Sequence, residues 1–144
     1  MSEVRLTGRI TIDAPPDEAY RLFTPEGERA WAAGWDPSYP VPATDDTAPG
    51  TVFETGAHGE TTTWIVLARE PGRAISYARV TPGARAGTVG VVLSPAAGGR
   101  TEATVTYELT ALTDAARARL REFADGYPAF LTSWERAIAA TLSG

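Results

Sequence analysis

Few side chains in this sequence can carry acid–base or nucleophilic chemistry. Its 144 residues include no cysteine, one histidine (His58) and thirteen basic residues, all of them arginine. Schiff bases and P-loop phosphate sites need lysine, thiolate sites need cysteine, and a histidine metal centre needs several histidines. The composition excludes these classes within one subunit, so we expect neither a metal nor another cofactor. The side chains that remain available for chemistry are carboxylates, tyrosine, serine, threonine and arginine.

His58 is the only side chain whose unperturbed pKa lies near neutrality, which makes it a candidate acid–base catalyst. It lies in a glycine-flanked turn, residues 55–60, where Glu54 or Glu60 could orient it. A histidine at a hairpin tip is more often simply solvated, and no nucleophile stands at a recognisable spacing from it. No serine occupies a Gly-x-Ser-x-Gly turn, which argues against a serine hydrolase.

The alternation of residues in the predicted strands selects three further candidates. Tyr77 and Arg79 fall on the same face of one strand as Ile75, and Tyr107 falls on the apolar face of another. An inward Arg79 would need a carboxylate or a ligand oxygen, because an unpaired buried charge is costly. The alternative is that Arg79 lies near the strand end and reaches solvent. If the protein catalyses a reaction, we expect Tyr77, Arg79, Tyr107 or His58 to polarise a carbonyl or move a proton.

Aromatic residues are the stronger signal as a set. The chain has four Trp, five Tyr and four Phe residues. They could stack on a planar ligand or fill a solid core, and sequence alone does not distinguish these alternatives. We expect at least three of them to line a cavity. The predicted ligand-binding residues are Trp31, Trp35, Phe53, Trp64, Tyr77, Val91, Tyr107, Phe123, Tyr127, Phe130 and Trp134.

Hydrophobic periodicity predicts the elements that position these residues. An alternating strand over residues 4–13 precedes two short helices, the first beginning at Pro16 and the second capped by Thr24. A proline-rich loop, residues 36–50, follows. β-branched and aromatic runs separated by turn residues then predict an antiparallel meander. Its strands are Thr51–Thr55, Thr61–Glu70, Ala74–Val80, Gly87–Ser94 and Thr101–Ala111.

The last thirty residues change to helical spacing. A helix opens at Thr113–Asp114, and Pro128 predicts a kink near Tyr127. The sheet and this helix must bury each other's apolar faces. We therefore predict one α+β domain over residues 1–144, in which a curved antiparallel sheet of about six or seven strands wraps around a long C-terminal helix, with a cavity between them.

Several segments carry a family resemblance. They are Ile10–Thr24 (ITIDAPPDEAYRLFT), Trp31, Trp35–Pro37, the Trp64–Val66 strand, and Thr104–Leu109 before the final helix. Together they resemble the SRPBCC or START-like superfamily, in its polyketide-cyclase-like and chaperone-activator-homology branch. The resemblance covers nearly the whole chain. It implies a helix-grip fold with a deep apolar cavity for lipids, polyketides or other aromatic ligands, and in some members cyclase, aromatase or dehydratase activity.

We therefore expect a small apolar or aromatic ligand and, for any reaction, cyclisation, dehydration or isomerisation without a cofactor. The alternative is a non-enzymatic protein-interaction module, with residues 31–39 and the acidic loop as its contact surface. An exposed apolar patch there would favour it. The net charge of −5 argues against nucleic acid, and no apolar run is long enough to span a bilayer, so we expect a cytoplasmic protein. Homodimer formation is left open.

Overall fold

A computed structural model describes residues 3–57 and 59–144 of the protein. The helices are α1 (Pro16–Leu22), a 3₁₀ helix (Gly27–Ala30), α2 (Asp114–Asp125) and α3 (Tyr127–Ser143). The strands are β1 (Glu3–Ile12), β2 (Val52–Ala57), β3 (Glu60–Glu70), β4 (Ala74–Thr81), β5 (Arg85–Ala96) and β6 (Arg100–Ala111). This element order confirms the predicted α+β helix-grip architecture, with six strands and two short helices after the first.

The strands form one antiparallel sheet in the order β1-β6-β5-β4-β3-β2. Consecutive strands from β2 to β6 are neighbours, as the short turns predicted, and β1 closes the other edge against β6. The register places Tyr77 opposite Val89, and Val89 opposite Tyr107. Trp64 of β3 is opposite Arg79 of β4, which is two residues along the strand from Tyr77. The predicted inward residues of four strands therefore lie side by side on one face of the sheet.

The C-terminal helical region covers that face. Thr113 caps α2, because its Oγ1 accepts a hydrogen bond from the amide of Ala116 at 3.2 Å. The helix is interrupted at Gly126, and α3 begins with Pro128 in its first turn, where a missing amide hydrogen is tolerated. The kink predicted near Tyr127 is thus a break between two helices. No helix within the described ranges combines the length and the apolarity needed to cross a membrane.

Close packing fixes α3 on the edge of the sheet. A Cβ atom on Gly8 of β1 would lie 2.5 Å from the end of the Leu131 side chain, so Leu131 packs directly on the Gly8 backbone. The hydroxyl of Tyr127, at the start of α3, donates to the carbonyl of Val105 at 2.7 Å. These contacts hold α3 over β1 and β6. Over β3 and β4, the sheet is covered instead by the segment between α1 and the proline-rich loop.

Candidate functional site

A cavity of about 210 Å³ lies between the sheet, α3 and the segment that follows α1. Most of its lining residues are aromatic or aliphatic. Four of them carry polar groups: Glu28, Tyr77, Arg79 and Tyr107. The lining residues are Phe23, Glu28, Ala32, Trp35, Trp64, Tyr77, Arg79, Val89, Val91, Tyr107, Phe130 and Trp134. The predicted cavity between the sheet and the C-terminal helix is therefore present.

Two tyrosines on the sheet floor differ in what their hydroxyls do. The hydroxyl of Tyr77 donates to the carbonyl of Phe23, the residue that follows α1, at 2.7 Å, so its hydrogen is not available to a ligand. The hydroxyl of Tyr107 makes no hydrogen bond to any side chain or backbone group of the described residues. Burial raises the pKa of both phenols, which keeps them neutral at physiological pH. Tyr107 is the one free to donate to a ligand.

Arg79 lies inside the protein, not in solvent. Its guanidinium carbon lies 4.7 Å from the centroid of the Trp64 ring, a cation–π contact. One terminal nitrogen donates a long hydrogen bond of 3.3 Å to Oγ1 of Thr81. Its Nε is buried and has no partner among the described residues. Burial lowers the pKa of Arg79, yet a guanidinium stays protonated at neutral pH, so the cavity wall holds a cation with an unused donor.

Glu28 faces the floor from the opposite side. The 3₁₀ helix that carries it is held by Thr24, whose Oγ1 accepts from the amide of Gly27 at 3.0 Å. Thr24 was predicted to cap this helix, but the helix begins later, after Glu26, which makes no side-chain cap hydrogen bond, and the element is a single 3₁₀ turn. The Glu28 side chain forms no hydrogen bond and no ion pair within 4.0 Å to the described residues. Burial raises its pKa well above the usual value.

Sequence reasoning did not select Glu28 as a site residue. It lies on a four-residue 3₁₀ helix, Gly27–Ala30, which is too short for periodicity to show which of its side chains face inward. Glu28 lies within the predicted second short helix, but no site role was predicted for it.

The aromatic wall is fixed in orientation. Trp35 and Trp64 meet edge to face with centroids 5.4 Å apart. Each indole N–H is satisfied, Trp35 by the carbonyl of Pro25 at 2.8 Å and Trp64 by Oγ1 of Thr55 at 2.9 Å. With both N–H groups bonded to the protein, these rings offer a ligand their faces and edges.

Seven of the eleven predicted ligand-binding residues line the cavity, and four pack around it. The lining residues are Trp35, Trp64, Tyr77, Val91, Tyr107, Phe130 and Trp134. The others, Trp31, Phe53, Phe123 and Tyr127, belong to or pack against the apolar core. Of the predicted catalytic residues, Tyr77, Arg79 and Tyr107 meet at the cavity, whereas His58 lies outside the described residues.

A second pocket of about 220 Å³ adjoins the first. It shares Trp35, Trp64 and Arg79 with the cavity and is otherwise more polar, including Glu60 and Arg85, which form an ion pair at 3.0 Å. The two tryptophans and Arg79 are therefore the partition between the cavity and an outer pocket. In the described ranges, no group of three histidine, aspartate or glutamate side chains is placed to hold a metal ion.

The segment Trp31–Tyr39 does not present an aromatic contact surface. Trp31 is buried, with its Nε1 donating to the carbonyl of Leu22 at 2.7 Å. Tyr39 packs on Phe53 and its hydroxyl donates to the carboxylate of Glu26. The aromatic residues of this segment are turned into the protein, whereas Val41 in the adjoining loop is 76% exposed, so the described part of the predicted contact surface carries a single exposed large aliphatic side chain and no aromatic patch.

A curved sheet that grips a C-terminal helix around an apolar cavity defines the helix-grip class of domain. The chain belongs to the family described as polyketide cyclase / dehydrase and lipid transport, which matches residues 3–137. This match confirms the resemblance drawn from the sequence. No curated protein sequence matches the chain significantly.

Several solved structures share the fold at low sequence identity. Protein MLL2253 from Mesorhizobium loti has a TM-score of 0.69 and 22% identity, covering 96% of this chain and 98% of its own. The Aha1 dimer from Colwellia psychrerythraea has a TM-score of 0.66 and 19% identity, over 94% and 96% of the two chains. DynU16, from the dynemicin biosynthetic locus, has a TM-score of 0.61 and 20% identity, over 94% of this chain and 46% of its own.

Proposed function

We propose that this protein binds one small planar molecule of one or two rings, bearing a carbonyl or phenolic oxygen, in the cavity between the sheet and α3. The observation that carries the proposal is an aromatic-walled cavity lined by Tyr107, whose hydroxyl has no hydrogen-bond partner among the described residues, and by Arg79, whose guanidinium makes only one long hydrogen bond. Such a combination of apolar walls and a few convergent polar groups is typical of small-molecule sites.

The volume limits the size of the ligand. An engineered apolar cavity of about 150 Å³ binds benzene, whereas pockets for drug-sized ligands commonly measure about 300–1,000 Å³. At about 210 Å³ the cavity fits a molecule between these sizes. A long lipid or a multi-ring polyketide would need the Trp35–Trp64 partition to move, so that the ligand could extend into the outer pocket.

The polar groups that line the cavity favour a ligand that carries an oxygen atom. A ligand oxygen at the sheet side of the cavity would accept from the Tyr107 hydroxyl and from a terminal nitrogen of the Arg79 guanidinium, of which only one makes a hydrogen bond, to Thr81. A hydrogen bond to a charged group contributes about 1.5–3 kcal/mol, which corresponds to about 10- to 100-fold in affinity. A purely hydrocarbon ligand would fill the same space without this contribution.

Native mass spectrometry of protein purified from its own host would reveal a co-purified molecule. In parallel, tryptophan fluorescence titrations would compare 2-naphthol with naphthalene, which share a ring system and differ in one oxygen. We expect saturable binding of both, with 2-naphthol about 10- to 100-fold tighter. Arg79→Met should remove most of that preference while keeping naphthalene binding. Failure of both probes to saturate would contradict the proposal.

A further inference from the structure

We propose that the outer pocket is a second binding site, which takes the carboxylate of an aromatic acid between the guanidinium groups of Arg79 and Arg85. This inference goes beyond the ligand proposed above, which occupies the adjoining cavity. It follows from a pocket of about 220 Å³ whose wall combines these two arginines with the indole rings of Trp35 and Trp64.

The charged side chains of the outer pocket do not balance. Arg79 and Arg85 line it together with a single carboxylate, that of Glu60. A third arginine, Arg119 of α2, brings a terminal nitrogen to 3.7 Å from the second oxygen of Glu60. A chain with a net charge of −5 thus gathers three arginines around one glutamate. One negative charge supplied by a ligand would offset the excess of the two lining arginines over Glu60.

Arg79 is the arginine that lacks a carboxylate partner. Within 4.0 Å its guanidinium forms no ion pair with the described residues, because Glu60 pairs with Arg85 and Arg119 instead. A cation–π contact and one long hydrogen bond are all that hold it. Burial lowers the pKa of Arg79, and the positive charge of Arg85 lowers it further, so the two cations lie close enough to repel each other. An anion between them would relieve that repulsion.

Two threonine hydroxyls extend the set of donors into the pocket. The Oγ1 atoms of Thr62 and Thr81 lie 2.7 Å apart, and both side chains are buried. Thr81 accepts a hydrogen bond from Arg79, which favours Thr81 as the donor to Thr62. Thr62 lines the outer pocket, and its own hydroxyl hydrogen then has no acceptor among the described residues. A ligand oxygen in the pocket would provide that acceptor.

Arg85 is the part of the site that a ligand reaches from solvent. One of its terminal nitrogens donates to Oε1 of Glu60 at 3.0 Å, and its other N–H groups make no hydrogen bond to the described residues. A guanidinium carries five N–H groups in a planar fork that matches the two oxygens of a carboxylate. The Arg85 side chain is 25% exposed, so an anion can approach these groups.

The remaining walls indicate that the anion carries an aromatic ring. Trp35 and Trp64 line the pocket, and the other uncharged lining residues are alanine, glycine and threonine. An indole wall binds a planar ring by stacking or edge contacts. The single excess positive charge matches a carboxylate, which carries one negative charge, better than a phosphate monoester, which carries about two. We therefore assign the pocket to arene carboxylates.

Isothermal titration calorimetry tests the site with benzoate and benzyl alcohol, which share a ring and differ in charge. We expect saturable binding of benzoate, about 10- to 100-fold tighter than that of benzyl alcohol. Arg85→Gln should lose most of this preference. The matched control is Arg117→Gln, which removes an exposed arginine that lines neither the cavity nor the outer pocket and should bind benzoate as wild type does.

Each pocket has one donor of its own, which separates this inference from the proposed function. Arg85 lines only the outer pocket, and Tyr107 lines only the cavity. Arg85→Gln should therefore weaken benzoate binding and keep 2-naphthol binding, whereas Tyr107→Phe should do the reverse. Wild type that binds 2-naphthol but not benzoate would overturn this inference alone. Wild type that binds benzoate but not 2-naphthol would overturn only the proposed function.

A second variant, Glu60→Gln, has the opposite expected sign. It removes the carboxylate that pairs with Arg85, so it should bind benzoate about two- to fivefold tighter than wild type. Unchanged or weaker binding of benzoate by Glu60→Gln would overturn the inference. So would undiminished binding by Arg85→Gln, or tighter binding of phenyl phosphate than of benzoate by wild type.

Discussion

Replacing Val91 by phenylalanine should stabilise the protein and abolish ligand binding. Val91 lines the cavity from the centre of β5. Filling space inside a core contributes about 24 cal/mol per Å³. Phenylalanine exceeds valine by about 50 Å³, so filling part of the cavity should contribute about 1 kcal/mol. For a chain of this length, that shift raises Tm by about 4 °C.

A matched control lies directly across the sheet. Val105 on β6 is the register partner of Val91 and points to the same face, but it is fully buried under Tyr127 and does not line the cavity. The same substitution there, Val105→Phe, must overpack the core and should cost about 1–3 kcal/mol. Two identical substitutions at adjacent positions should therefore change stability in opposite directions.

Calorimetry and urea unfolding would measure both variants, and 2-naphthol titration would report binding. The expected pattern is a higher Tm with lost binding for Val91→Phe, and a lower Tm for Val105→Phe. If both variants were destabilised equally, the space beside Val91 would be packed, and the reasoning from cavity to ligand would be refuted. Unchanged 2-naphthol affinity in Val91→Phe would place the ligand elsewhere.

Two further predictions concern pH and backbone packing. Burial raises the pKa of Tyr127, Tyr107 and Tyr77, so their stabilising contribution is present below the unfolded pKa of about 10 and is lost as pH rises further. The urea midpoint should therefore stay level from pH 8 to 9.5 and fall above pH 10, and it should fall less steeply in Tyr127→Phe. A midpoint that stays level up to pH 11 would contradict this prediction. Gly87→Ala should destabilise the protein by about 3 kcal/mol or more, because its Cβ would lie 1.8 Å from the carbonyl oxygen of Glu108 on β6; thermal melts check this, with an unchanged Tm counting against the close approach.

The cavity residues that lie on the sheet could be predicted from the sequence, whereas those on the segment that covers the sheet could not. Side chains alternate strictly along a strand, so placing Tyr77, Arg79 and Tyr107 on one face required only the strand boundaries. Glu28 lies on a four-residue 3₁₀ helix, too short to show a reliable period. Its orientation depends on how the chain enters from α1, which is a tertiary property.

The difference between lining and core residues was equally invisible in the sequence. Phe53 and Trp64 are opposite each other on β2 and β3, both point inward, and their rings are stacked with centroids 5.8 Å apart. Trp64 lines the cavity, whereas Phe53 is covered by Tyr39 and Trp35. The covering residues come from the end of the segment after the 3₁₀ helix and from the start of the proline-rich loop, whose paths no periodicity encodes. Residue type and strand alternation therefore identify which aromatic residues point inward. Only the packing of the chain between the 3₁₀ helix and β2 decides which of them line the cavity and which are buried in the core.

The segment that covers the cavity is tied down by two buried aromatic residues. The hydroxyl of Tyr77 on β4 donates to the carbonyl of Phe23 at 2.7 Å, which joins the end of α1 to the sheet. The indole of Trp31 donates to the carbonyl of Leu22 at 2.7 Å, which joins the end of the 3₁₀ helix back to α1. Both bonds link residues far apart in helical or strand phase, so the position of the segment over the cavity is a tertiary property that no local periodicity encodes.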